Sequence, residues 1–394
     1  FCIVYFSPPI ILPAGQRAGP FFIAAMDDPD AAPDLGLAGL SPEFQAMLGG
    51  MAGHTASFAK ILEKRTTKSS EVEKEKDDEV YLESYADLVI HEEMLKDTAR
   101  VDAYRMAIEH HGPTWREATV VDVGAGTGLL SVMCGKFARQ VIAIEASRLS
   151  HFLRKVVEKN ASNVEVVEVL AEEVDLKDKV DVIVSEWMGY CLLFENMLPS
   201  VLSVRDRYLK PGGLILPSRC RLYLAPMEDD WRKEKVDFWT SVHGIDMSPL
   251  MPLAQATYCA TPQHRLVDPV SLLGDAMVIF QADLHTVQAS ELENFDAALT
   301  VAIPAGRRLD GFATWFECDF GDGSPKLSTA PAAQATHWKQ TIFYLREPVE
   351  GGGGCNLHGQ VTFQKHEVFT RGYRVSFDLT VPGRKARSEA YELR

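Results

Sequence analysis

The sequence predicts an α/β domain built on a parallel sheet, followed by a second domain that is largely β. Three observations carry this. Strand and helix patterns alternate from residue 118 to residue 217; a glycine loop, Gly124-Ala-Gly126-Thr-Gly128, separates the first strand from its helix; and beyond Pro217 strands follow one another across turn-formers. Alternating strands and helices imply a parallel sheet with right-handed crossovers.

The elements follow in order. The chain has 394 residues, 46% hydrophobic and 24% charged, which suits two globular domains and a tail. Residues 1–79 are read as a mobile tail and linker. Within it, Phe1 to Leu12 is apolar but follows no basic segment, so it fits a secretory signal poorly. Met26 opens an acidic Met-Asp-Asp-Pro-Asp stretch, and residues 1–25 are read as a gene-model extension or a transit-like leader. From Lys64 to Glu79 charges of both signs alternate, as in a solvated linker. In Tyr81 to His111, Tyr85, Leu88, Met94, Val101 and Tyr104 recur at near-helical spacing and predict a helix. Ala118–Val123, Gln140–Glu145, Val164–Val169 and Asp181–Ser185 read as the first four strands, Gly213–Leu216 as part of a fifth, and Leu129–Phe137 as a helix. Residues 80–217 form this domain.

The second domain spans residues 218–394. Its strands are Arg221–Leu224, Ala276–Ala282, Leu299–Ile303, Gly311–Asp319, Gln340–Leu345, Gly359–Gln364 and Tyr373–Leu379. Trp231 to Gly244 interrupts them with an amphipathic helical pattern. Its Trp231, Val236, Phe238, Trp239 and Val242 are more apolar than a solvent-exposed arm needs, which suggests a partner surface.

Composition narrows the function. The formal net charge is −15, so bulk charge does not draw this chain to nucleic acid; it suits basic partners, and it equally serves solubility. No apolar stretch reaches the roughly 18–20 residues of a membrane span. The seven cysteines are scattered and form no CxxC, which argues against a disulfide framework or a zinc site and for a reducing compartment, nucleus or cytoplasm.

Four segments carry chemistry. The glycine loop follows a strand and opens a helix, where free N–H groups meet a ligand. Gly128 comes two places after Gly126, not the three of a dinucleotide fingerprint, which favours a nucleoside without a pyrophosphate. Glu145 ends the next strand and can accept from both ribose hydroxyls. Next, Glu186 and Glu195 bracket the apolar stretch Trp-Met-Gly189-Tyr-Cys-Leu-Leu-Phe after the fourth strand. Carboxylates among such residues are costly unless they meet a cation, and a planar guanidinium pairs with them bidentately. Third, His91, Met94, Asp97 and Arg100 recur every three residues and can share one helix face, as a ligand lid or as an ordinary surface helix. Fourth, Thr336-His337-Trp338 stands before a β-segment, where a lone histidine by itself is more often structural.

Together these segments resemble the protein arginine methyltransferases from about Tyr81 to the C-terminus. Glu186–Glu195 looks like that family's double-glutamate loop, Thr336-His337-Trp338 like its Thr-His-Trp loop, and residues 120–131 like its first cofactor motif. Met94 and the intact Thr-His-Trp resemble the type I class, which makes asymmetric dimethylarginine, and Gly311-Phe-Ala-Thr-Trp-Phe316 and Glu347-Pro-Val resemble the subtype six branch. The resemblance implies a Rossmann-like domain that binds S-adenosyl-L-methionine and a β-barrel domain with a helical dimerisation arm at about 229–250. It implies a homodimer and basic, arginine-containing protein substrates such as histones or Arg/Gly-rich proteins. It implies His91 and Arg100 at the methionine part of the cofactor, with Gly124 and Gly126 behind it, Glu145 on the ribose and Glu172 by the adenine. Glu186 and Glu195 would hold the substrate guanidinium, Asp97 would pair with His337 across the domains, Met94 and Met197 would flank the reacting nitrogen, and Tyr81 and Tyr85 would close the lid. The family commonly has Tyr-Phe-x-x-Tyr in the lid; here Leu82 takes the second place. Pro217 would be the cis proline that joins the domains.

The residues leave three other readings: a nicotinamide-dependent oxidoreductase, which the glycine spacing disfavours; a small-molecule methyltransferase; and a non-catalytic scaffold, which has no use for the glutamates and Arg100.

Overall fold

The structure is a computed structural model that describes residues 81–393, apart from Leu82, Ala86, Val368, Pro382 and Arg384. The expectations for residues 1–79 and for Leu82 lie outside the described residues.

The lid region is not one helix. Helix α1 (Leu88–Lys96) stops at Asp97, and α2 (Thr98–His111) starts behind it. Asp97 has φ −72° and ψ 91°, and its side chain accepts from the Arg100 N–H at 3.0 Å. An aspartate at an N-cap satisfies an otherwise orphaned amide and faces the positive end of the helix dipole, so the break is favoured where continuous helix was expected. His91, Met94, Asp97 and Arg100 therefore do not share one helix face.

Strands β1 (Thr119–Val123), β2 (Gln140–Ile144), β3 (Val164–Val167), β4 (Val180–Val184) and β5 (Leu209–Leu216) form a parallel sheet in the order β3-β2-β1-β4-β5. Helices α3 (Leu129–Gly135), α4 (Ser150–Asn160) and α5 (Leu198–Tyr208) lie between strands in the chain. Every residue of β1 is buried, as befits a central parallel strand covered on both faces. The strand order reverses between β1 and β4, and open α/β sheets bind ligands at the carboxyl ends beside such a switch point. The glycine loop follows β1 there and the two-glutamate loop follows β4.

The Leu216–Pro217 peptide is cis, and past it every strand pair is antiparallel. The strands are β6 (Arg219–Met227), β7 (Gln263–Arg265), β8 (Met277–Asp283), β9 (Asn294–Ile303), β10 (Arg308–Asp319), β11 (Lys326–Ser328), β12 (Gln340–Glu350), β13 (Cys355–Lys365), β14 (Tyr373–Thr380) and β15 (Arg387–Leu393). One sheet runs β7-β12-β10-β6-β8 with β11 on β10, and the other runs β15-β14-β13-β9. They form the walls of a β-barrel around an aromatic core, in which Phe312 of one sheet stacks on Phe377 of the other at 4.9 Å. Alternate residues of β14 are buried, so one face looks inward and the other outward. The middle of β10 is buried without alternation because its outer face is covered too.

That cover corrects the expected arm. The helical pattern from Trp231 breaks into a short helix α6 (Trp231–Lys235) and a 3₁₀ turn (Asp237–Thr240), and a further helix α7 (Met251–Tyr258) follows. Trp231 is buried and stacks on Tyr344 of β12 at 4.3 Å, and Val236 is buried as well. Trp231 thus packs on its own barrel, and neither side chain is exposed to a partner. In and just after this segment Phe238, Ile245, Leu250 and Leu253 are left exposed, at 51%, 60%, 41% and 60%.

Candidate active site

A cavity of about 850 Å³ opens at the carboxyl ends of β1 and β4 and runs to the barrel. Of the residues that the sequence assigns a role at the cofactor or substrate, all but Asp97 line it; Asp97 is buried behind His337.

At the glycine loop, the Gly124 and Ala125 N–H groups donate to the Ile144 carbonyl at 3.0 and 2.9 Å, which turns the chain tightly over the end of β2. Gly124 has φ +72°, and a Cβ on it would lie 2.2 Å from the Met197 methyl, so glycine both admits the turn and lets Met197 pack against the loop. The Glu145 carboxylate is held by two backbone donors, Gly126 N–H to Oε2 and Ser147 N–H to Oε1, both at 2.8 Å. A carboxylate can accept about four hydrogen bonds, so capacity remains for a diol. Glu172, at the far end, pairs with the Ser200 hydroxyl. His91 Nε2–H donates to the Tyr85 carbonyl at 2.8 Å, which fixes the lid segment onto α1.

Arg100 joins this side of the cavity to the glutamates. Its Nη1 donates to the Met94 carbonyl at 2.8 Å, and its Nε and Nη2 both reach Glu186 Oε2 at 2.9 Å. Two of the five guanidinium N–H groups are thus hydrogen-bonded, with Nη2 drawn to the same carboxylate as an ion pair, which leaves donor capacity for another anion. Among the described residues Glu186 Oε1 meets only the Met188 N–H, at a long 3.3 Å.

The loop between the glutamates is strained. Cys191, Leu192, Glu195 and Asn196 have φ of 52°, 68°, 74° and 52°, a region costing non-glycine residues about 1–3 kcal/mol each. Glycine is needed at Gly189, where a Cβ would meet the Phe194 carbonyl oxygen at 2.0 Å. The barrel holds the loop in place: Trp338 Nε1 donates to the Met188 carbonyl at 3.0 Å, and the Glu195 N–H donates to the Arg371 carbonyl at 2.8 Å. Tyr85 donates its hydroxyl to Glu195, and the Tyr81 hydroxyl lies 3.9 Å from the Met197 sulfur. Across the domains, His337 Nδ1 and its backbone N–H meet Asp97 Oδ2 at 2.7 and 2.9 Å. Burial alone would raise the Asp97 carboxyl, but hydrogen bonds from His337 and from the Arg100 backbone hold it below the usual range.

The chain matches the family model of the arginine methyltransferase oligomerization subdomain over residues 218–384 and a methyltransferase-domain model over residues 120–213. Probable protein arginine N-methyltransferase 6.1 of Oryza sativa subsp. japonica is 40% identical over 78% of this chain and 86% of its own length. Protein arginine N-methyltransferase 6 of Xenopus laevis is 36% identical over 84% and 99%. This chain belongs to the protein arginine N-methyltransferase family. Among solved structures, the Trypanosoma brucei PRMT1 enzyme-prozyme heterotetrameric complex with AdoHcy is similar, at 29% identity and a TM-score of 0.72, covering 79% of this chain and all of that one. The enzyme class, a protein arginine methyltransferase, and its cofactor, S-adenosylmethionine, follow from the family.

Sequence reasoning missed one wall of this methyltransferase's cavity. Phe369, Arg371 and Gly372 line it from the loop between β13 and β14. The loop was legible only as a break between two strands, and no local pattern marks Arg371 as a neighbour of Glu195, 176 residues earlier.

Burial pushes the Glu195 carboxyl up to about 7, the Glu186 charge adds to it, and the Tyr85 and Tyr81 hydroxyls and Arg371 oppose it. Its negative charge is therefore lost as pH falls through about 7. Carboxyl-labelled NMR should show a glutamate titrating there that is missing from Glu195→Gln. In Tyr85→Phe the midpoint should move to higher pH, because a donor to the charged form is gone. An ordinary carboxylate midpoint for Glu195 would contradict this.

Proposed function

We propose that this enzyme is a type I protein arginine methyltransferase acting on basic, arginine-containing proteins such as histones or Arg/Gly-rich chains. The observation that carries the acceptor assignment is the pair of carboxylates, Glu186 and Glu195, set by one strained loop into the same cavity as the glycine loop. The type I assignment rests on Met94 and Thr336-His337-Trp338.

The cavity suits the cofactor: the glycine loop lines it, and Glu145 is held by two amides with acceptor capacity to spare. Glu145 would take the ribose hydroxyls, Glu172 would lie by the adenine, and Gly126 and His91 would back the methionine part. Arg100 takes the cofactor carboxylate with its remaining N–H groups. When bound, the cofactor supplies a methyl group activated by its sulfonium.

The chain's own residues do the rest. A guanidinium stays protonated in proteins, so no side chain simply removes its proton first. Glu186 and Glu195 bind two of its nitrogens and draw the positive charge toward them, which leaves electron density on the third. Met94 and Met197 flank that nitrogen, and Tyr81 and Tyr85 close over it, so orientation lowers the barrier further. The departing proton has an acceptor in Glu195, whose proton affinity is raised to about 7, with His337, oriented by Asp97, as a second. The exposed Phe238, Ile245 and Leu250 of the arm, with Leu253 just beyond it, fit a homodimer interface.

Glu186→Gln and Glu195→Gln should each lose roughly 100- to 1,000-fold in rate on an arginine peptide, by analogy with a lost oxyanion-hole donor at about 2.7–4 kcal/mol. Calorimetry should find S-adenosylhomocysteine affinity near normal in Glu195→Gln. Near-native rates in either variant would remove that residue from the mechanism. Mass spectrometry of the wild-type product should show asymmetric dimethylarginine, and sedimentation a dimer; the symmetric isomer would refute the type I reading, and an active monomer the dimer.

A further inference from the structure

We propose that Arg371, on the loop between β13 and β14, is a positioning residue for methyl transfer: it fixes the turn that presents Glu195 and joins that turn to the Tyr81 lid. The inference rests on the reading of Glu195 as a ligand of the substrate guanidinium.

The backbone creates the need. Glu195 and its neighbour Asn196 stand at φ 74° and 52°, so the residue that offers the second carboxylate sits where non-glycine backbone relaxes away unless it is held. Arg371 holds it from both sides of one residue. The Glu195 N–H donates to the Arg371 carbonyl at 2.8 Å, and Arg371 Nη1 donates to the Glu195 carbonyl at 2.7 Å. The two residues thus exchange hydrogen bonds like partners in an antiparallel ladder, with a guanidinium in place of one amide.

The same guanidinium carbon lies 3.7 Å from the centre of the Tyr81 ring, a cation–π contact. Lid, loop and barrel therefore meet at Arg371. A lysine can supply the charge but not a planar group that stacks on a ring while donating sideways to a carbonyl.

The contact also has an electrostatic consequence. The groups that face the Glu195 carboxyl are Tyr81 and Tyr85 from the lid segment, Glu186 from the end of β4, and Arg371 from the barrel. Arg371 is the cation in that set, and it favours the charged carboxylate against burial and against Glu186. It binds the Glu195 carbonyl with Nη1, while the Glu195 side chain meets the Tyr85 hydroxyl.

The test uses full-length Arg371→Met and Arg371→Lys, assayed for kcat and KM on an arginine peptide between about pH 6 and 9, with S-adenosylhomocysteine affinity measured alongside. Arg371→Met should lose about tenfold or more in kcat/KM, as expected when a binding group shifts by a fraction of an ångström. Its acid limb should move to higher pH, and its cofactor affinity should stay within about twofold of wild type. Arg371→Lys should keep the acid limb in place and still run slower, which separates the charge from the geometry. An acid limb unmoved in Arg371→Met together with a rate within about twofold of wild type would overturn the proposal. So would cofactor affinity falling in step with rate in both variants, which marks a merely structural residue. If Glu195→Gln runs normally, the reading of Glu195 fails first; if Glu195→Gln is inactive and Arg371→Met is normal, only the role of Arg371 fails.

Discussion

Two partly buried carboxylates near one another repel and lose hydration together, and Glu186 and Glu195 impose that cost on everything around them. The surrounding structure meets it with internal donors. Arg100 meets one oxygen of Glu186 with a hydrogen bond from Nε and an ion pair from Nη2, and the Tyr85 hydroxyl covers Glu195. Neither donor saturates its carboxylate. The site is compensated enough to fold and still short of positive charge, which is the condition for attracting a cation. Burial leaves Glu195 holding its proton up to about pH 7, so an incoming guanidinium finds a group poised between charged and neutral.

The same constraint explains why a barrel follows the nucleotide-binding sheet. The Rossmann-like sheet alone provides Gly124, Glu145 and the base of the two-glutamate loop. It does not hold the loop's left-handed residues. Those are tied down by barrel groups: Trp338 on the Met188 carbonyl, Thr314 beside the Cys191 sulfur at 3.3 Å, and Arg371 on Glu195. Asp97 completes the arrangement from the other direction. It ends α1, caps α2 and accepts from His337, so one carboxylate sets the helix break, the helix start and a domain contact.

Much of this was legible in the sequence because the relevant physics is local. The strand–glycine–helix junction at Val120–Leu129 announces the sheet and its ligand edge, and all five strand cores fall where the apolar runs place them. Where the reading failed, a distant partner had overridden a local pattern. The helical periodicity from Tyr85 to Tyr104 hides the break at Asp97, because the capping aspartate keeps the three-residue spacing. Trp231 looked like a partner-facing residue and instead stacks on Tyr344, more than a hundred residues away in sequence. Strands β7 and β11 have three residues each, too few to show alternation, and β15 is rich in charge. Arg371 gave no local signal at all, since its meaning depends on Glu195.

The central claim is that two acidic side chains select a guanidinium. The most direct measurement is labelled methyl transfer from S-adenosylmethionine to three peptides that differ at one position, carrying arginine, lysine or citrulline. Arginine alone should accept the methyl group. Citrulline has nearly the same shape without the charge, and lysine has the charge without the planar set of nitrogens. Comparable transfer to the lysine or citrulline peptide would contradict the account, because the carboxylate pair would then not be what chooses the substrate.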